Sequence, residues 1–189
     1  MRAAIPIRNV NGRKWLQRRT ILHVARAPGN PARGLMRLHG VAIPVALGRG
    51  GIQANKREGD GATPRGRFRL LRLWWRADRM TRPKTRLPVR AIRGDDGWCE
   101  DAGDRRYNRP IKLSPSTPGD RLRRDDTLYD LVIELDHNTR PRMKNRGSAV
   151  FIHVARPGFA PTAGCVALSA PGLRHLLTRI GAHTRIEIG

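Results

Sequence analysis

Short apolar runs alternate along the chain with clusters of glycine, proline and aspartate, a spacing that suits strands better than helices. Thr20 to Ala25 reads as a first strand, broken by "RAPGNPARG". Val41 to Leu47 reads as a second, with Pro44 marking an edge or a bulge because proline cannot donate to a ladder. Phe68 to Trp75 is apolar on both faces and is expected to be central, with Trp74 and Trp75 in the core. In Leu128 to Leu135, Tyr129, Leu131, Ile133 and Leu135 point one way, and Asp130, Val132 and Glu134 the other. Ser148 to Ala155 is apolar almost throughout, which predicts burial. Cys165 to Ser169 follows, and Thr184 to Ile188 closes the chain. One helix is signalled. Ser169 can cap it, Pro171 fits its first turn, Leu173, Leu176, Leu177 and Ile180 form a stripe, and Gly181 can end it in the left-handed conformation. Many short strands and one helix predict a mostly-β domain, a sandwich or an open barrel.

The 189 residues suit one domain, which can bury roughly two thirds of its unfolded surface without disulfide or metal staples. The polar residues 1–18 read as a loose arm, and 19–189 as a single domain free of repeats and linkers. No apolar run approaches the roughly 18 residues of a membrane span. The apolar stretch from Ala3 to Ile7 contains Pro6 and is too short for a secretory h-region, so no signal peptide is visible. Two cysteines, Cys99 and Cys165, are too few for a disulfide scaffold.

Charge widens the field of partners. The chain holds 38 basic and 15 acidic residues, a formal net charge of +23. That favours an anionic polymer, nucleic acid or cell wall. The basic residues are scattered, however, and no zinc-finger, RNA-binding aromatic or basic-region pattern is present. A solvated arginine-rich surface is the plainer reading. The six histidines fall into no ligand spacing, so no metal and no cofactor is expected. The glycine-rich stretch from Leu47 to Phe68 lacks both the dinucleotide fingerprint and the Gly-Lys-Ser/Thr ending of a phosphate loop.

Cys165 stands out by its setting. It follows "TAG" and opens an apolar strand, and Gly164 lets the backbone turn sharply and bare its amides to a developing oxyanion. A cysteine nucleophile needs a base, and His153 lies twelve residues earlier on the preceding strand. Two strands joined by "ARPGFAPTAG" can bring imidazole and thiol together. The plainer reading is an inert core cysteine and a structural histidine. Arginine, histidine and the amide turn are expected to favour a Cys165 thiolate, whereas acids around Cys99 disfavour one there. The segment "KREGDG", with Lys56, Glu58 and Asp60, reads as a tight turn whose acids accept backbone bonds.

The segment "VFIHVARPGFAPTAGCVALS" resembles the catalytic motif of the YkuD-type L,D-transpeptidases. "ALGRGG", "NKREGDGATPRGRF", "DGWCEDAGDRRYNRPIKL" and "RRDDTLYDLVIELDHN" are similar, in the same order, to its short single-domain branch over roughly residues 20 to 189. The resemblance implies a β-sandwich of two mixed sheets with one small helix. It implies Cys165 as nucleophile, His153 as general base and acid, and Gly164, Ala163 and Thr162 as the oxyanion-forming turn. It makes Tyr107 and Asn108 candidates for the substrate side of the cleft, with a packed turn as the plainer reading. The activity implied is cysteine acyl transfer on peptidoglycan stem peptides at the cell envelope, with carbapenem-type β-lactams as inhibitors. The sequence departs from the family at Ala163, commonly histidine, and at Ala167, commonly arginine or asparagine. These departures keep a hydrolytic variant open, an L,D-carboxypeptidase or amidase. A non-enzymatic basic binding module for an anionic polymer is the remaining alternative.

Overall fold

The computed structural model describes residues 20–117 and 119–189; the expected arm over 1–18 lies outside them. The strands are β1 (Ile21–Ala27), β2 (Asn30–Leu38), β3 (Val41–Ala46), β4 (Ile52–Gln53), β5 (Thr63–Pro64), β6 (Gly66–Trp75), β7 (Val89–Ala91), β8 (Asp96–Trp98), β9 (Pro110–Lys112), β10 (Asp120–Arg121), β11 (Leu131–Leu135), β12 (Phe151–Val154), β13 (Val166–Leu168) and β14 (Arg185–Ile188). Helix α1 (Ala170–Leu177) lies between the last two.

Eight of these strands close on themselves in the order β11-β12-β13-β3-β2-β1-β14-β6, with β6 pairing back to β11. Two neighbouring pairs, β1–β14 and β12–β13, run parallel, so the ring is mixed. The expected sandwich is therefore corrected to a closed barrel, and the open barrel with it. The ten-residue β6 explains the closure. Its first half pairs with β14, its second half carries β7 on that side, and β11 occupies the other side. A ring of this kind leaves little free edge, the exception being β3, which meets β13 at one residue.

The segment read as a break is a hairpin. Pro28–Gly29 turns the chain, with Gly29 at φ +75°, and Ala27 pairs with Asn30. His39 and Gly40, both at positive φ, make the next two-residue turn into β3. Pro44 pairs only towards β2, because β13 meets β3 at Ala46 alone; the proline is at a local edge, as expected. In α1, Ser169 Oγ accepts from the Gly172 amide at 3.2 Å, as its capping role requires. The helix ends earlier than expected, at Thr178 in right-handed conformation, and Gly181 instead bridges to Arg86.

Alternation along the strands divides the core in two. Leu131, Ile133, Ile152, Val154, Val166 and Leu168 fill the barrel interior, together with Leu173, Leu176 and Leu177 of α1. Val132, Phe151 and Cys165 face outwards, into a second cluster with Trp74, Trp98, Leu122, Leu128 and Tyr129. The chain from β7 to β11 covers that outer face and includes the small sheet β10-β8-β9. Ser148 to Ala155 is apolar on both faces because each side of β12 has its own core.

Candidate active site

Cys165 and His153 stand on this outer face. His153 pairs with Ala167 across the parallel β12–β13 ladder, so Cys165 lies one pleat away on the neighbouring strand. Both side chains are buried and both line a cavity of about 210 Å³ with Glu100, Asp120, Arg124 and Arg156. A second cavity of about 360 Å³ also reaches Cys165 and is lined by Arg49, Lys56, Glu58, Glu100 and Ser148. The thiol thus borders two spaces.

The imidazole is fixed by its backbone. His153 Nδ1–H donates to its neighbour's carbonyl, Val154 O, at 2.8 Å, which leaves Nε2 as the proton acceptor. Burial, with Arg156 and Arg124 nearby, pushes His153 down to about 4. The Tyr129 ring meets it edge-on, 5.5 Å between centroids, and the Tyr129 hydroxyl donates to Asp120 Oδ2 at 2.7 Å.

The thiol donates to Ala149 O at 3.2 Å and receives the Phe151 amide at 3.4 Å. Burial pushes it up to about 12, aided by Asp120 and Glu100 and opposed by the Phe151 amide and Lys56. The expected resting thiolate is thereby overturned. Arginine is abundant, but Arg124 is held by Asp126, and carboxylates supply much of the charge felt at Cys165. Cys99 is raised too, chiefly by burial, and lines neither cavity.

The turn before Cys165 needs its glycine. Gly164 has φ +140°, and a Cβ there would meet Ala62 O at 2.8 Å. Its amide donates to Thr162 Oγ1 at 3.1 Å, and the Thr162 hydroxyl donates to Cys165 O at 2.7 Å. Thr162 therefore ties the turn together from within. Ala163 lines both cavities, whereas Ala167 is buried between His153 and Ala46 and reaches neither.

Tyr107 and Asn108 are buried and line neither cavity. Tyr107 donates to Glu58, which does. Asn108, at φ +53°, spends its whole amide. Nδ2 donates to His137 O and Asn138 O, and Oδ1 accepts from Trp98 Nε1 and the Ala149 amide. Ala149 is itself at φ +51°, and its carbonyl is the one that receives the thiol. In the "KREGDG" turn Asp60 accepts from the Arg57 and Ala62 amides, as expected, and from Lys56; Glu58 is turned to Tyr107 instead. Sequence reasoning missed Glu100, Asp120, Arg124, Arg156 and Tyr129 as cavity residues. Tyr129 had the look of an apolar strand position, and nothing local marks the four charged residues among so many others.

A family model described as the L,D-transpeptidase catalytic domain matches residues 33–188. No curated protein matches the chain. Among solved structures, an L,D-transpeptidase from Mycobacterium smegmatis is 14% identical with a TM-score of 0.45, covering 90% of this chain and 58% of its own. One from Mycobacterium tuberculosis H37Rv is 10% identical with a TM-score of 0.42, covering 90% and 57%. L,D-transpeptidase 3 from Mycobacterium tuberculosis, in complex with a faropenem-derived adduct, is 11% identical with a TM-score of 0.41, covering 90% and 60%. The chain thus spans a little under two thirds of these proteins. The match over residues 33–188 places the chain in the YkuD family of L,D-transpeptidase catalytic domains.

Proposed function

We propose that the protein is a cysteine acyltransferase acting on peptidoglycan stem peptides through a thioester on Cys165. The observation that carries this is the cavity shared by the Cys165 thiol and the neutral His153 imidazole, whose Nδ1–H is already committed. His153 Nε2 takes the thiol proton as Sγ attacks the acyl carbon of the donor peptide bond. The Ala163 and Cys165 amides of the turn take the oxyanion, since the Gly164 amide is held by Thr162. The C–N bond then breaks, Nε2–H passes its proton to the leaving amine, and a thioester remains. Attack by a second amine forms the crosslink and returns the thiol. Thr162 and Gly164 shape the turn, while Tyr107 and Asn108 support the cleft from behind.

The hydrolytic reading keeps the same first step and replaces the amine by water. It is favoured by Ala163, a methyl where both cavities meet the thiol, which offers an acceptor no polar contact. The test is intact-mass spectrometry of the wild type, Cys165→Ala and His153→Ala with faropenem and with defined stem tetrapeptides, followed by product analysis. A mass adduct that needs Cys165, with crosslinked dimers, supports transfer. Shortened peptides without dimers make the protein a hydrolase. A folded wild type that gives neither adduct nor product excludes both.

A further inference from the structure

Most charged groups around the two cavities are spent internally. Lys56 is paired with Asp60, Glu58 receives the Tyr107 hydroxyl, Asp120 receives that of Tyr129, and Arg124 is held by Asp126. Glu100 is different. It borders both cavities and Cys165, and among the described residues it has neither an ion pair nor a hydrogen bond. Its charge also raises the thiol it stands beside. Resting enzyme gains nothing from that arrangement, whereas an enzyme filled by a cation does. The Glu100 side chain is exposed at the cavity mouth; partial desolvation there, with Asp120 and Glu58 nearby, pushes it up to about 7. A cation that docks there holds the carboxylate ionised and cancels its effect on Cys165.

Among the described residues, each cavity adds one unpaired guanidinium to this shared acid: Arg49 in the larger and Arg156 in the smaller. An acid with a cation at a distance matches the two charges of an amino-acid head group. Resting on the reading of the site as a stem-peptide acyltransferase, we propose that Glu100 is a specificity-determining residue that binds the primary ammonium of the peptide substrate where the two cavities meet. The reaction supplies such an ammonium twice: on the side chain of the donor's diamino residue and on the acceptor before it is deprotonated.

The test compares Glu100→Gln with wild type on three substrates. Faropenem carries no ammonium, and its acylation rate is expected to hold or to rise a few-fold, because the charge that raises the thiol is gone. A stem tetrapeptide with a free side-chain amine, and the same peptide acetylated there, report the donor. Aminolysis of the preformed thioester reports the acceptor. If the donor amine is the ligand, kcat/KM for thioester formation falls about 10- to 100-fold for the free amine, the worth of one charge-assisted hydrogen bond, and not for the acetylated peptide. If the acceptor is the ligand, aminolysis alone falls by that factor. Equal loss on faropenem and peptides makes Glu100 structural and overturns the proposal, as does no loss on any amine-bearing step. Calorimetric binding of the free-amine peptide to Cys165→Ala, and to Cys165→Ala with Glu100→Gln, separates the two readings. Binding that needs Glu100 without turnover by the wild type sinks the acyltransferase and keeps the ammonium site. Turnover insensitive to Glu100 does the reverse, and no binding with no turnover removes both.

Discussion

The burial that lifts the Cys165 thiol to about 12 also lowers the His153 imidazole to about 4, so at neutral pH both partners are uncharged. In the proposed mechanism thiolate forms only as the proton moves to His153 during attack. Faropenem acylation is expected to rise through about pH 4 and then to hold, or to fall no more than a few-fold as Glu100 ionises near pH 7; a rise centred on pH 8 to 9 would mean an ordinary free thiol. His153→Ala should slow acylation at pH 7 by about two to four orders of magnitude. Stability follows with a definite sign. The unfolded imidazole binds its proton below about 6.5 and the folded one only near 4, so stability is full above pH 6.5 and falls as pH drops towards 4. The loss amounts to about 3 kcal/mol at most. Urea unfolding at pH 7, 5.5 and 4.5 measures it, and His153→Gln should flatten the curve. Cys165 should still be alkylated before Cys99, because it borders two cavities and Cys99 none, not because it is the better thiolate.

Pairs of elements hold the thiol in place. The loop after β8 supplies Asn108, whose Oδ1 takes the Ala149 amide, and Ala149 in turn offers its carbonyl to Cys165. Removing that amide orphans Trp98 Nε1, the Ala149 N–H and two loop carbonyls. Asn108→Ala should cost about 2–4 kcal/mol by thermal or urea unfolding, as buried polar groups lose partners. Tyr107→Phe loses one bond to Glu58 and should acylate within a few-fold of wild type. Seven of the eight barrel strands were legible because their pleat was: Ile152 and Val154 face the barrel while His153 and Cys165 share the outer face. The two- and three-residue strands β4, β5, β7, β8, β9 and β10 are too short to show a period. β2 escaped notice although Ala32, Gly34, Met36 and Leu38 are buried in strict alternation. Asparagine, proline and glycine at its start, and arginines between the buried positions, masked the period. The Asn108 link was illegible for another reason. Its partners lie up to 41 residues away, and no local pattern encodes them.

Closure of the barrel belongs to the whole chain, since it depends on β1 meeting β14 and β6 meeting β11 across long separations. Strand patterns specify each ladder's faces but not its partner, which is why mostly-β was readable and barrel against sandwich was not. Charge is the other property of the whole molecule. The acids are few and many are already held by arginine or lysine, as in Arg67–Glu187 and Arg76–Asp78, and the whole chain carries a formal excess of +23. Such a field attracts polyanions over about a Debye length, about 10 Å at 0.1 M salt, and weakens as salt rises. Cys165 lines a cavity, so the chemistry proposed for it would depend on groups within contact of the thiol. The two should separate experimentally. Retention on an anionic polymer should fall steeply between about 50 mM and about 500 mM salt, equally for wild type and Cys165→Ala. The limiting rate of faropenem acylation at saturation should change less than about twofold over the same range, because short-range contacts are weakly screened. Loss of polymer retention in Cys165→Ala, or an acylation rate that falls in step with retention, would instead tie the surface charge to the catalytic centre.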